Sequence, residues 1–195
     1  MPYRPTDRTR AKQAERHATL LATAERLVAA EGFGAASIVA VASAAGMSAG
    51  AVYSHFSGKS ELLAAVFRRA ADRELAAVRD AVQAADRNAT ARLSALIEVF
   101  AGRALQGRTL AWALLAEPVD PLVDAERLTY RRAYREIAAD VLRQGIDDGD
   151  LPAQDIRLSA AALIGAISEA LVGPLSPVAA RTRADEFIPA LQTLC

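Results

Sequence analysis

Apolar residues recur along most of this chain at intervals of three and four positions, the spacing that places them on one face of an α-helix. Glycine, proline or acidic clusters separate these stripes. No segment shows convincingly the alternation of apolar and polar residues that is typical of a half-buried strand. The pattern therefore predicts an all-α fold of about nine helices.

The residues that punctuate the stripes place the ends of the helices. We expect a flexible arm over residues 1–7 and a first long helix that ends at Gly32, because glycine tolerates the backbone that closes a helix. Pro189 falls inside the last stripe and predicts either a kink or the true start of that helix. The other helices are expected at about residues 38–45, 49–56, 59–85, 88–107, 108–117, 121–146, 155–173 and 181–194.

Residues 37–59 contain two short helices joined by a tight turn. Gly46 breaks the first, and the side chain of Ser48 can cap the second by accepting a hydrogen bond from a backbone amide. At about 100° of rotation per residue, Val52 and Phe56 fall on the side that packs inward. The opposite side is small and polar, with Gly50, Ser54 and, at its edge, Tyr53. This arrangement predicts a helix-turn-helix that reads DNA.

A motif runs through this segment at Gly32, Phe33, Ser37, Ala44, Ala45, Gly46, Ser48, Gly50, Tyr53, His55, Phe56 and Lys59. With these residues, the chain resembles the DNA-binding domain of the TetR family of bacterial transcriptional regulators over residues 14–66. Three positions depart from the family pattern. Met47 replaces the usual valine, Ala49 stands where a basic residue is common, and Ala51 stands where a threonine often contacts phosphate.

The helix faces and the resemblance together imply a DNA-binding head at residues 8–58 and a helical ligand-binding and dimerisation body at residues 59–195. For Arg8 and Arg10, contact with phosphate or the minor groove and plain solvation are about equally favoured. For Ser37 and Lys59, a purely structural role is about as strongly favoured as contact with DNA. Ser37 can cap a helix, and Lys59 lies at the start of one. The residues expected to contact DNA are Arg8, Arg10, Ser37, Ser48, Ala49, Gly50, Tyr53, Ser54, His55 and Lys59.

The resemblance also implies how the body works, since members of the family dimerise through their last two helices and hold an inducer among the body helices. Each of these side chains has the simpler alternative of completing the core of its own chain. The expected dimer contacts are Ile156, Leu163, Ile167, Leu171, Phe187 and Leu191. The expected ligand contacts are Phe100, Arg103, Trp112, Tyr130, Tyr134 and Ile164.

The helix expected at residues 121–146 is rich in arginine. A second DNA-binding surface is one interpretation, but acidic residues interleave at pairing distances, so a solvated, salt-bridged face is favoured. The arginines are Arg127, Arg131, Arg132 and Arg135, and the acidic residues are Glu126, Glu136 and Asp140.

Charge and composition narrow the function. The formal net charge is zero, yet residues 1–60 carry an excess of positive charge, as a DNA-binding head would. The only histidines are His17 and His55, and the only cysteine is Cys195, so no nucleophile triad, zinc motif or phosphate-binding glycine loop is present in the sequence. These features predict a cytoplasmic protein that is not an enzyme and has no cofactor, metal, disulfide or membrane span.

The sequence thus predicts a TetR-like transcriptional regulator, acting as a repressor, that binds a palindromic double-stranded operator as a homodimer and is released by a small apolar effector. The alternative is a helical small-molecule-binding or adaptor protein whose head no longer binds DNA, for which Ala49 and Ala51 are the motivating residues.

Overall fold

The computed structural model describes residues 7–179 and 182–194, and within these ranges it contains helices and no strand. The predicted all-α class is confirmed. A short 3₁₀ turn, Phe33–Ala35, follows the first helix. The helices are α1 (Asp7–Glu31), α2 (Ile38–Ala44), α3 (Ala49–Tyr53), α4 (Lys59–Ala84), α5 (Ala89–Gln106), α6 (Arg108–Leu115), α7 (Pro121–Asp147), α8 (Ile156–Leu175) and α9 (Ala184–Leu194).

Short polar side chains fix where five of these helices begin. Each accepts a hydrogen bond from a backbone amide in the first turn, which satisfies a donor that the helix itself leaves unpaired. The lengths of these bonds lie between 2.7 Å at Asn88 and 3.2 Å at Ser48. The capping residues are Ser37, Ser48, Asn88, Asp120 and Asp155.

The structure corrects several predicted helix ends. α1 begins at Asp7, so Arg8 and Arg10 lie on a helix, and the remainder of the predicted arm lies outside the described residues. α8 continues through Pro174 to Leu175, because a proline this close to the end of a helix removes only one terminal bond. α9 begins at Ala184 and contains Pro189 within it, so that proline is not the start of the helix.

α3 is also shorter than predicted, and its own side chains explain why. It ends at Tyr53, where the hydroxyl of Ser54 donates to the carbonyl oxygen of Ala51 at 2.7 Å. Such a local bond competes with continuation of the helix. Phe56 nevertheless remains buried, since the turn that follows α3 carries it back against the head.

The buried apolar residues form two clusters, one in the head and one in the body, and α4 contributes to both. Its first half, including Leu62 and Phe67, packs into the head cluster with α1, α2 and α3. Its second half, including Val78 and Val82, packs into the body cluster with α5, α7 and α8. Two body side chains, Ala113 of α6 and Val123 of α7, are buried in the head cluster. A boundary between residues 58 and 59 remains a prediction, because the cores interlock beyond it.

α8 is the most apolar long helix and is covered on one side only. Ile167 and Leu171 are fully buried in the body cluster, whereas Leu158 is 68% exposed. α9 packs mainly against α5. By length and composition alone, α8 could cross a membrane, and it is the one helix of the described ranges that meets this test.

Candidate nucleic-acid interface and ligand cavity

The turn between α2 and α3 has the backbone that the sequence predicts. Gly46 adopts a φ of 65°, a left-handed conformation that residues with a Cβ rarely take. The amide of Met47 donates to the carbonyl oxygen of Ala42 at 2.9 Å, and that of Gly46 donates to Ser43 at 3.1 Å. These two bonds close α2, and the chain then turns directly into the Ser48 cap of α3.

α3 presents one apolar and one open side. Val52 is 0% exposed and anchors the helix in the head cluster. The opposite side, which we call the DNA face, consists of the exposed residues Ala49, Gly50, Tyr53 and Ser54. Tyr53 is 58% exposed, and a Cβ built on Gly50 would meet only the hydroxyl of Ser48, at 3.8 Å. The fold itself therefore requires neither the tyrosine nor the glycine.

His55 lies at the border of this face and is half-buried. Its ring is 5.6 Å from that of His17, which stacks on Phe56 at 4.7 Å. Burial lowers the pKa of His55 below its usual value, and the charges of His17 and Arg16 add to this effect. This shift favours the neutral imidazole, which can donate one hydrogen bond and adds no positive charge. Lys59, which is exposed at the start of α4, supplies a positive charge near this face.

The other residues predicted to contact DNA lie around the helix-turn-helix in different settings. Arg8 and Arg10 are exposed on the first turns of α1, where Arg10 pairs with Asp7 at 2.7 Å. Ser37 is half-buried and caps α2 by accepting from the amide of Ala40 at 3.1 Å. Their contact with DNA stays a prediction, as does that of the DNA face.

The body contains a cavity with a mostly apolar wall, lined by residues from α4 to α8. The cavity and its mouth together contain about 800 Å³ of empty space, part of which is open to solvent. Five of the six residues predicted to contact a ligand line it: Phe100, Arg103, Tyr130, Tyr134 and Ile164. The sixth, Trp112, is not a lining residue; its half-buried side chain packs against the body cluster.

Two tyrosines that line the cavity make different contacts. The hydroxyl of Tyr130 donates to the carboxylate of Asp72 and lies 3.2 Å from the carbonyl oxygen of Arg68. Tyr134 packs edge-on against Phe100, with ring centres 4.9 Å apart. Burial raises the pKa of both tyrosines above the usual value, so both hydroxyls remain protonated donors at neutral pH.

A carboxylate of the body binds the backbone of the head. Glu117, which follows α6, accepts from the amides of Phe33 at 3.0 Å and Gly34 at 3.3 Å. We call these two bonds the clasp. Gly32 permits it, because its φ is +85° and a Cβ there would lie 2.8 Å from the Glu117 carboxylate. Any other residue at position 32 would strain the backbone and collide with the carboxylate.

Arg127 of α7 holds the chain that carries the clasp. Its guanidinium donates to the carbonyl oxygens of Leu114 at 2.8 Å, Ala113 at 3.1 Å and Glu117 at 2.9 Å, and it also pairs with Asp124. It thereby satisfies the carbonyls left unpaired at the end of α6. Because Arg127 also lines the cavity, one side chain joins the wall of the cavity to the segment that carries the clasp.

Aromatic rings form a second connection between cavity and head. Phe67 and Tyr130 both line the cavity, and their ring centres lie 5.8 Å apart. Phe67 in turn packs on Phe33 of the clasp at 6.5 Å. Nearby, Ser60 donates to Asp120 at 2.6 Å, which ties the start of α4 to the cap of α7.

Sequence reasoning missed the clasp and misassigned Arg127. It placed Arg127 in a solvated, salt-bridged face, whereas most of its bonds go to backbone carbonyls of another helix. Glu126 pairs across to Arg68 on α4 at 2.6 Å rather than within α7. The sequence does carry one signal for the clasp, the glycine at position 32 directly before Phe33, but it does not reveal which carboxylate faces it.

The predicted dimer contacts need correction. Ile167, Leu171 and Leu191 are covered by their own chain, with at most 4% of each exposed, so their side chains are unavailable to a partner. The residues predicted with them, Ile156, Leu163 and Phe187, are partly buried against the body cluster. For Ile167, Leu171 and Leu191 the structure therefore favours the alternative, completion of the core of their own chain, whereas a dimer contact of Ile156, Leu163 and Phe187 stays a prediction. The exposed side of α8, which we call the α8 face, carries Leu158, Ala162, Gly165 and Glu169.

Comparison with known proteins matches both halves of this architecture. Residues 20–66 match the family described as bacterial regulatory proteins, tetR family, and residues 86–171 match that described as tetracyclin repressor-like, C-terminal domain. The HTH-type transcriptional repressor KstR2 of Rhodococcus jostii (strain RHA1) is 32% identical over 149 residues, which cover 74% of this chain and 72% of that protein.

Solved structures share the fold. The fatty acid degradation regulator FadR from Bacillus halodurans superposes with a TM-score of 0.75 at 18% identity, over 91% of this chain and 96% of that chain. The regulator FadR from Bacillus subtilis in complex with stearoyl-CoA gives a TM-score of 0.78 at 17% identity, with 91% and 96% of the two chains covered.

A helix-turn-helix head carried on a helical body defines a regulator of transcription. This chain belongs to the TetR family of bacterial transcriptional regulators.

The clasp leads to a first prediction. Replacing Glu117 by alanine should lower the free energy of unfolding by about 1–3 kcal/mol, because the half-buried amide of Phe33 loses its acceptor. Urea denaturation measures this. Glu126→Ala is the matched control, since it removes the more exposed bridge to Arg68 and should cost at most about 1 kcal/mol. Equal effects of the two substitutions would show that the clasp contributes nothing specific.

Proposed function

We propose that this regulator represses transcription as a homodimer, in which the two copies of α3 read a palindromic operator and a small, mainly apolar effector releases the DNA. The observation that carries the proposal is the DNA face, an exposed surface whose glycine and tyrosine the fold does not use. The site of action is the cytoplasm, where bacterial DNA lies.

α3 has the features needed to enter a major groove. It is anchored from below by Val52, so the DNA face is held rigidly outward. Gly50 lets a base edge or a phosphate approach the backbone closely, and the hydroxyl of Tyr53 can donate to a phosphate oxygen. Lys59 supplies the positive charge beside them. The absence of long side chains at Ala49 and Ala51 makes close approach of the helix possible.

A second copy of the chain would cover the α8 face. Leu158 is 68% exposed on an otherwise strongly apolar helix, and Gly165, which also lies on this face, leaves room for a close neighbour. Two heads held by this contact could reach successive major grooves about 34 Å apart. Tethering the heads also raises the effective concentration of the second head once the first has bound.

The effector would act through α4, which lines the cavity with Phe67 and Ala71 and also carries the head. The clasp and Arg127 give the cavity a second route to the head. The stearoyl-CoA complex of the Bacillus subtilis regulator shows that a protein of this fold holds a small molecule. Because coupling is reciprocal, an effector that weakens operator binding must itself bind more weakly to the operator complex.

A mobility-shift titration against the DNA that flanks the protein's own gene tests the proposal directly. We expect a specific complex whose affinity falls steeply between a low and a high salt concentration, as counterion release requires. The alternative function, a helical small-molecule-binding or adaptor protein, follows from the lack of side-chain contacts at Ala49 and Ala51. It would be favoured by ligand binding without any specific DNA complex.

Gly50→Ala should weaken operator binding without lowering the stability of the protein. A helix gains up to about 1 kcal/mol from this change, and the new Cβ meets no close neighbour within the chain. Operator affinity should nevertheless fall about tenfold, the loss of roughly one good contact. Gly46→Ala is the contrasting variant, since its φ of 65° should make it destabilising. Unchanged operator affinity in a stable Gly50→Ala protein would contradict the proposed DNA face.

Leu158→Glu tests the dimer. A charge placed in an apolar contact between copies must be desolvated, so sedimentation should show a shift from dimer to monomer. Leu122→Glu is the control, because Leu122 is 52% exposed at the start of α7, away from the α8 face. A Leu158→Glu protein that sediments as the wild type does, or a wild type that is monomeric at micromolar concentration, would rule out this interface.

A further inference from the structure

Three arginines line the mostly apolar cavity, and two of them already have partners. Arg103 forms a bidentate pair with Glu74, at 2.5 Å and 3.1 Å. Arg127 is engaged by three carbonyl oxygens and by Asp124. Neither guanidinium has to meet a ligand, because each charge is balanced or its donors are occupied within the chain.

Arg131 is different. It lies one helical turn after Arg127, and its Nε is buried without a hydrogen-bond partner among the described residues. An unpaired buried donor is costly, and a cationic one more so. The pKa of Arg127 is lowered, by burial above all, and the charge of Arg131 contributes to this shift. Arg127 is paired with Asp124, so Arg131 is the guanidinium of this wall for which the described residues supply no ion pair.

The position of Arg131 indicates which part of a ligand it would meet. It lines the body cavity and also a second, more polar recess, the outer pocket, which lies towards the α8 face. Ser168 of α8 lines both spaces as well, and Arg135 lines the outer pocket. Glu169 shares the outer pocket but does not satisfy the buried Nε of Arg131. Arg131 thus lies where the apolar space ends.

We propose that the effector is an amphipathic acid, whose apolar body fills the cavity and whose carboxylate or phosphate binds Arg131. This inference rests on the proposed function, since it specifies the effector of the same site. A small turn of the side chain would bring the buried Nε to the cavity, where an anionic oxygen would accept from Nε and from one Nη of the planar guanidinium, the fork geometry in which arginine binds such groups best. The hydroxyl of Ser168 is a second donor to the same anion.

A purely apolar effector does not meet the same need. It would leave the Nε of Arg131 without an acceptor, so the complex would still carry the free-energy cost of an unpaired buried donor. An acid removes this cost and adds a charge-assisted bond. The geometry therefore predicts a preference for an acid over a neutral molecule of the same shape.

Matched pairs of probes test this preference on the full-length protein. Decanoic acid is compared with decan-1-ol, and naphthylacetic acid with naphthylethanol, by calorimetric titration at pH 7. We expect at least one acid to bind about tenfold or more tightly than its alcohol, the effect of a hydrogen bond to a charged group. Decyl phosphate, as a third chain of equal length, distinguishes a phosphate from a carboxylate as the preferred anion.

Variants assign the preference to Arg131. Arg131→Gln should reduce the affinity for the acid about tenfold or more and leave that for the alcohol within about twofold, while Arg131→Lys should be intermediate because it keeps the charge without the fork. Arg132→Gln is the matched control, since Arg132 is exposed on the same helix and lines neither space. Circular dichroism and urea denaturation establish that each variant is folded.

Several results would overturn the inference. These are equal binding of acid and alcohol in both pairs, binding of none of the probes, or an acid preference that survives in Arg131→Gln. The proposed function is tested separately by operator binding. A regulator that binds its operator but shows no acid preference loses only this inference, whereas an acid-binding protein without an operator loses only the proposed function.

Discussion

The contact that fixes the head against the body is the clasp, in which the Glu117 carboxylate accepts hydrogen bonds from the backbone amides of Phe33 and Gly34. It connects the end of α6 to the turn that precedes the helix-turn-helix. Charge-assisted bonds of this kind are directional and short, so they fix an orientation as well as a distance. The clasp also explains Gly32, whose backbone and missing Cβ make room for the carboxylate. A head joined only by the continuous helix α4 could pivot more freely.

α4 supplies the other constraint, because it belongs to two cores at once. Its early residues are buried with the helix-turn-helix, and its later residues are buried with α5 and α7. Phe67 lies at the junction, where it contacts Phe33 on one side and Tyr130 on the other and also lines the cavity. Packed interiors do not deform gradually, so a change at the cavity wall is expected to move α4 as a unit. This arrangement is why we propose that the cavity is the site of regulation.

The elements that depend on local chemistry could be predicted from the sequence. Ser48 and Gly46 fix the turn because a hydroxyl cap and a left-handed glycine act within a few residues, and the structure shows both. Properties that depend on distant neighbours could not be predicted. The apolar stripe of Ile167 and Leu171 is equally compatible with an internal core and a subunit interface, and only packing shows that it is internal. The partners of Glu117 and Arg131 are likewise set by residues far away in the chain.

In our proposal, occupancy of the cavity is transmitted to the head. Operator affinity of Ala111→Phe measures this most directly without a known effector, because Ala111 lines the cavity on α6 and a phenyl ring there would fill part of it. Thr109→Phe is the control, as an exposed residue of the same helix that does not line the cavity. We expect the Ala111 variant to remain folded and to bind operator at least about fivefold more weakly, a typical allosteric coupling, while the control binds as the wild type does. Wild-type affinity in a folded Ala111→Phe protein would contradict the claim.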